Sequence, residues 1–393
     1  MKNNEKNCGY ELICAMEEAS LNKRFLPYCV GNPKRTLTFN DQFMRANFVF
    51  FTDSHIDLFN PDECVDNVHR TIEYANNSPI KFDAVLHAGD IITPWNMVPK
   101  DNALARAKSF FDIAKQSSRP FVFSIGNHDS NDSENIPENA FTGDDWGKLF
   151  LDYAEEKYGI VRQKKADGTR STWHYLDIDE KKIRIISLDS LDTDRSVTDE
   201  NGKVKFFSKY GSFFSNEQLS WLANTALDFD GKEDDGWGVI FVFHMFPEDF
   251  GFHQDSGKVL MGIASAFNDS STYSYSFKHS ENPFFDMDIK ADFTRYTEKE
   301  KKPHVICMLL GHDHEDKNTI RDGINIIWSL NGSSSEQYGD ARVVRIPGTC
   351  TQNSFDVLNI DTLNRKIRMF RYGAGLNCYG DGGDRFLPDG LDY

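Results

Sequence analysis

Gly126-Asn127-His128-Asp129 brings an amide oxygen, an imidazole and a carboxylate together at the end of the apolar run Phe121-Val122-Phe123-Ser124-Ile125. That set is poor chemistry for a surface loop and good chemistry for holding a cation beside a proton donor. The run reads as a buried strand, since β-branched and aromatic residues pack well on a pleated surface, and the glycine reads as the place where the backbone turns sharply. Four more apolar runs end in the same way. Phe48 to Phe51 leads to Asp53-Ser54-His55, Ala84 to Ala88 leads to Gly89-Asp90, Val239 to Phe243 leads to His244, and Val305 to Leu310 leads to Gly311-His312-Asp313-His314. Sites in α/β sheets form outside the carboxyl ends of strands, so five strand ends can deliver side chains to one place. The candidate metal ligands are Asp53, His55, Asp90, Asn127, His244, His312 and His314. Seven are too many for one tetrahedral ion with an open position and suit two ions sharing a carboxylate. Carboxylate and amide oxygens mixed with imidazoles, without thiolate, favour Mn, Fe, Zn or Co over Ca or Cu(I).

His128 is the candidate catalytic residue beyond metal binding, because an imidazole next to Asn127 can donate a proton or stabilise charge that develops beside a bound cation. Asp129 has two readings: it orients His128, as carboxylates often fix imidazoles, or it caps the turn. Ser54 reads as a spacer, and with no Gly-x-Ser-x-Gly elbow in the chain no protein nucleophile is expected. His87, His174 and His304 lie in or beside apolar runs and read as packed or surface residues, and His69 as a solvent-facing helix residue. His253 and His279 fall in a long aromatic stretch that could border a substrate, although aromatic clusters more often pack than bind.

Taken in order, Asp-x-His, Gly-Asp, Gly-Asn-His-Asp, His and Gly-His-x-His resemble the calcineurin-like metallophosphoesterase family, from about residue 46 to residue 314. The resemblance implies a four-layer α/β/β/α sandwich, two mixed sheets packed face to face with outer helices. It also implies a dimetal phosphoesterase that hydrolyses small organic or nucleotide phosphomonoesters or phosphodiesters by attack of a metal-bridging hydroxide. In that scheme Asp53, His55 and His314 hold one ion, Asn127, His244 and His312 hold the other, and Asp90 bridges them. Two departures stand out: Thr93 occupies the place where purple acid phosphatases have a Tyr, and Met245 follows His244 where relatives often have a second His.

The elements that must carry these residues are also legible. Asn60-Pro61-Asp62-Glu63 starts a helix, and Val65, Val68, Ile72 and Ala75 give it a one-sided apolar stripe. A second helix is expected near residues 101–117, and Ser215-Asn216-Glu217-Gln218 reads as a capping box opening another. Hairpins are expected at 173–188 and 355–372. Early βα units followed by hairpins suggest two packed sheets with helices outside. Residues 1–43 read as an N-terminal extension, 44–372 as the catalytic domain with an aromatic-rich insert at about 246–300, and 373–393 as a Gly-rich C-terminal tail. The segment 192–210 is a second candidate rim.

Bulk properties narrow the partners. A net charge of −17 argues against a nucleic-acid surface built from many Lys and Arg contacts, leaving a nuclease as the weaker alternative and a small-molecule phosphoester as the expected substrate. A non-catalytic scaffold for protein partners is a further alternative, disfavoured because every ligand and His128 are retained. No run is long and apolar enough to span a membrane, and nothing near the start reads as a signal peptide. Seven scattered cysteines without a Cys-x-x-Cys pair fit reduced thiols in a cytoplasm.

Overall fold

The computed structural model describes residues 45–56, 61–78, 80–93, 98–131, 135–233, 235–247, 255–280, 282–298, 301–333, 345–375 and 387–393. The expected N-terminal extension, Asn60, Phe250, Phe252 and His253 lie outside these residues.

Strands β1 (Arg45–Phe51), β2 (Ala84–His87) and β3 (Phe121–Phe123) run parallel, joined by helices α1 (Pro61–Asn77) and α2 (Lys100–Ala114). The crossover from β3 carries short helices α3 (Gly143–Trp146) and α4 (Asp152–Tyr158), separated by a π turn. Then come β4 (Val161–Lys164), β5 (Arg170–Ile178), β6 (Ile183–Ser187), α5 (Asn216–Trp221) and β7 (Gly238–Val242). Helix α6 (Asp255–Asp269) and strands β8 (Thr272–Phe277) and β9 (Met287–Asp292) precede β10 (His304–Leu310), β11 (Lys317–Arg321) and β12 (Ile324–Trp328). The chain closes with β13 (Ser354–Asp361), β14 (Lys366–Gly373) and β15 (Leu387–Asp392).

Two mixed sheets result. One has the order β15-β14-β13-β1-β2-β3 and the other β11-β12-β10-β7-β6-β5-β4, while β8 and β9 form a separate hairpin. Alternation along the strands of the second sheet makes the layers. Ile240 and Val242 of β7 join the core shared with the first sheet and with Val68, Ile72 and Phe110 of α1 and α2. Val239 and Phe241, one residue out of phase, join a second core with Leu219 of α5, Ile263 and Phe267 of α6, and Ile289 of β9. Helices therefore cover the outer face of each sheet, as the four-layer expectation required.

The expected hairpins form, at β5–β6 and β13–β14. The Ser215 hydroxyl caps α5 by accepting from Gln218 N at 3.2 Å, but the second half of the capping box is absent. The Gln218 side chain instead bridges to the Asp189 backbone, its Oε1 accepting from Asp189 N and its Nε2 donating to Asp189 O.

Two expectations change. The insert, which shows few helix or strand signals in sequence, contains α6 and the β8–β9 hairpin, and its Phe267, Phe285, Phe293 and Tyr296 are buried in the second core. The end of the expected tail is an antiparallel edge strand, β15, paired with β14. No helix among the described residues is long and apolar enough to cross a membrane.

Candidate metal centre

The carboxyl ends of five parallel strands, β1, β2 and β3 in one sheet and β7 and β10 in the other, meet at one place. The backbone fixes the approach: Asp53 N donates to Gly89 O at 2.9 Å, His55 N to Asp90 O at 3.0 Å, and His312 N crosses from the other sheet to both Asp53 carboxylate oxygens at 3.1 Å. Five of the seven candidate ligands, Asp53, His55, Asp90, His312 and His314, stand at positive φ, between 42° and 72°. For non-glycine residues that conformation costs about 1–2 kcal/mol each, so the surrounding fold holds a strained constellation in place, a pattern typical of functional sites.

Side-chain donors fall into two groups sharing one residue. Asp53, His55, Asp90 and His314 offer ligand atoms within 4.8 Å of one another, and so do Asp90, His244 and His312. His314 Nε2 lies 3.2 Å from Asp53 Oδ1 and 3.0 Å from His55 Nε2. Asn127 joins the second group: its Oδ1 is 3.0 Å from His244 Nε2 and 3.1 Å from His312 Nδ1. The outward atoms are occupied elsewhere. His55 Nδ1 meets Thr93 Oγ1 at 2.7 Å, His244 Nδ1 donates to Ala88 O at 2.8 Å, and Asn127 Nδ2 donates to Lys209 O at 3.1 Å. These contacts turn His244 Nε2 and the Asn127 amide oxygen inward, the arrangement that prepares ligands for a cation.

The electrostatics agree. Asp53 and Asp90 are almost fully buried, two carboxylates within one cluster, and four imidazoles crowd them. Burial works against their charge, but the facing histidines hold Asp53 down at about 2 and Asp90 well below the carboxylate range. Burial also opposes a charge on His244, yet Asp90, 3.3 Å away, lifts it to about 9. Buried anions ringed by inward-facing nitrogen and oxygen atoms, without a thiolate, fit divalent transition metals.

His128 donates its backbone N–H to Asp90 Oδ1 at 2.9 Å, and its ring stands edge-on to His55 with centroids 5.1 Å apart. Burial holds its imidazole below the ordinary value despite Asp90. Asp129 makes backbone contacts of the capping kind. Its Oδ1 accepts from Ile91 N at 2.6 Å and Ile92 N at 3.1 Å, and its Oδ2 from Gly126 N at 2.8 Å, so it clamps the Asp90 and Asn127 loops together. Gly126 is also needed for a different reason than a turn. It is not among the residues at positive φ, and a Cβ there would collide with Asp90 N and Oδ1.

Other histidines stay out of the cluster. His87 is packed behind it against Phe51 and Phe110, meeting Ser54 Oγ at 3.0 Å; His174 is buried on β5; His304 stacks on Tyr393. His69 is half exposed on α1, and His279 packs on Phe285 within the insert, its Nδ1 accepting from Asn282 N. Sequence reasoning missed Thr93, whose one visible signal was the departure from a tyrosine, and Lys209, which lies in the expected rim segment and was not singled out.

A model of the calcineurin-like phosphoesterase family matches residues 46–316. The chain belongs to that family. Membership brings phosphoester hydrolysis and divalent metal ions with it. No curated protein matches the sequence. Among solved structures, TT1561 of Thermus thermophilus is 10% identical, with 83% of this chain and 98% of that one covered and a TM-score of 0.39. The NAD nucleotidase of Haemophilus influenzae is 12% identical, with 80% and 47% covered and a TM-score of 0.38. GAP50, titled the anchor in the inner membrane complex of Plasmodium, is 12% identical, with 84% of each chain covered and a TM-score of 0.38.

Proposed function

We propose that the chain is a dimetal hydrolase of phosphomonoesters or phosphodiesters of small organic molecules. The observation that carries the reading is Asp90's membership in both donor groups, which gives two adjacent ion positions with one shared carboxylate. Asp53, His55 and His314 would hold one ion, Asn127, His244 and His312 the other, and Asp90 both. Mn, Fe, Zn or Co suits the donors. Two ions there would supply a deprotonated water near neutral pH and neutralise the phosphoryl oxygens.

The chain's own residues do the rest. Thr93 and Ala88 fix the outward nitrogens of His55 and His244, so little reorganisation is needed when a substrate arrives. His128, held to Asp90 through its backbone and edge-on to the His55 ring, would donate to the leaving oxygen as charge develops there. A net charge of −17 without a basic track supports a small ester over a nucleic acid.

The test is hydrolysis of a chromogenic phosphomonoester and phosphodiester by metal-stripped protein resupplied singly with Mn, Fe, Zn or Co, beside His128→Ala. Metal-restored turnover that falls about a hundredfold or more in His128→Ala, with metal content unchanged, is expected. No turnover of either ester with two ions bound would overturn the reading.

A further inference from the structure

Asn127 is the one amide among the seven candidate ligands, and only the oxygen end of an amide can hold a cation. Its orientation is set from outside the cluster. Nδ2 donates to Lys209 O at 3.1 Å, and a carbonyl accepts from that end alone, so Oδ1 is left facing His244 Nε2 and His312 Nδ1. Lys209 lies in a short turn, Ser208–Tyr210, far along the chain from the Gly126–Asp129 loop. A pair of hydroxyls joins the two: Ser208 Oγ and Ser130 Oγ are 2.9 Å apart, with Ser208 0% and Ser130 2% exposed. We propose that Ser130 and Ser208 are positioning residues for the ion assigned to Asn127, His244 and His312. Their bond fixes the turn, the turn presents the Lys209 carbonyl, and the carbonyl keeps the Asn127 oxygen inward. The inference rests on the dimetal reading above.

The neighbours of the pair fix the order of its protons. Ser130 Oγ donates to Asn127 O at 3.4 Å and Ser208 Oγ accepts from Arg195 Nη2 at 3.4 Å, so the hydrogen between the hydroxyls comes from Ser208. Those two outer bonds are long and weak, and the bonds of 2.9 and 3.1 Å carry the join. Asn127 is thereby held by its backbone oxygen as well as its side chain.

A support must itself be held. Val204 and Phe206, just before the turn, are buried, and Phe206 packs edge-on against Phe285 of the insert with centroids 4.7 Å apart. Farther back, Asp194 Oδ2 accepts from Asn282 Nδ2 at 3.0 Å. The segment leading to the turn is anchored on the insert, and the turn on the metal-centre loop. The other ion has a support of its own, since His55 Nδ1 meets Thr93 Oγ1 at 2.7 Å. Separate supports predict separate losses.

The test is a calorimetric titration of the metal-stripped full chain with Mn. The parent should show two binding events. Ser208→Ala and Ser130→Ala should each weaken the same event about tenfold, the loss typical of a residue that orients a ligand, and change the other less than about twofold. The double substitution should lose no more than either single one, because both act through one bond. Thr93→Val should weaken the other event. Turnover of Ser208→Ala on a chromogenic phosphoester, low at limiting Mn, should return near the parent's at saturating Mn, which a general loosening of the fold would not allow. Ser130→Ala carries the test by itself if Ser208→Ala does not fold. Equal weakening of both events, losses that add in the double variant, or weakening of one and the same event by Ser208→Ala and Thr93→Val overturns the proposal. Fewer than two events in the parent removes the dimetal reading and the inference with it. Two events untouched by either serine substitution remove the inference alone.

Discussion

Arg371 on β14 grips Asp316 with both ends of its guanidinium fork, Nη2 to Oδ1 at 2.7 Å and Nη1 to Oδ2 at 3.0 Å. Asp316 lies two residues after His314, so a strand of the first sheet restrains the loop that carries two candidate ligands from the second. The same guanidinium reaches Asp356 through Nε at 2.9 Å, and the two carboxylates lift its already high pKa further against full burial.

Removing the fork should therefore uncover two carboxylates at once. Arg371→Met is expected to lower stability by about 3–5 kcal/mol, the cost of breaking a buried pair from one side. Arg371→Lys should fall between, since a point charge cannot serve both oxygens of Asp316 together. Denaturant midpoints of the three proteins check this. A loss under about 1 kcal/mol in Arg371→Met would mean the network contributes little.

The candidate ligands are legible because each sits on a short contiguous stretch where an apolar strand ends in Asp, Asn or His, and the order of those stretches carries the family. Contacts between distant stretches are not. Thr93 on His55, the Lys209 carbonyl on Asn127 and Arg371 on Asp316 join residues 38, 82 and 55 positions apart, and no local pattern marks such pairs. Helix α6 was missed although Val259, Leu260, Ile263, Ala264 and Phe267 repeat at helical spacing, because the aromatic density around it drew the reading toward a loop. Strand β15 is short, with a Pro and a Gly inside it, and only β14 gives it a register.

Gly126→Ala tests whether close approach rather than turning demands the glycine. The added methyl would meet the backbone of Asp90, which cannot move without moving the carboxylate proposed to be shared by both ions. The variant should bind fewer than two ions per chain by elemental analysis and melt well below the parent. Gly168→Ala is the control: φ there is 89°, so the substitution strains the backbone by about 1 kcal/mol, but nothing lies within 4 Å and full metal binding should remain.

Asp129→Ala leaves three buried amides, of Ile91, Ile92 and Gly126, without their acceptor. At about 1–3 kcal/mol for each orphaned group, a loss of at least about 3 kcal/mol is expected. Turnover and metal content should fall together, because the clamp positions Asp90 and Asn127. If turnover fell while both ions and the melting temperature were kept, Asp129 would be acting on His128 after all.

His174 gives the acid limit of stability a cause away from the metal centre. It is 1% exposed on β5, and burial lowers its pKa from 6.5 to about 4, opposed by its Nδ1–H bond to Thr172 O. The folded protein keeps this imidazole neutral and the unfolded chain protonates it more readily. Its contribution is therefore complete above about pH 6.5 and is lost as the pH falls toward 4. The difference amounts to about 3 kcal/mol at full extent. His174→Gln keeps a donor for Thr172 O and has nothing to titrate, so its unfolding free energy should fall less steeply between pH 6.5 and 4 than the parent's. Parallel curves for the two proteins over that window would show that His174 is not what acid attacks first.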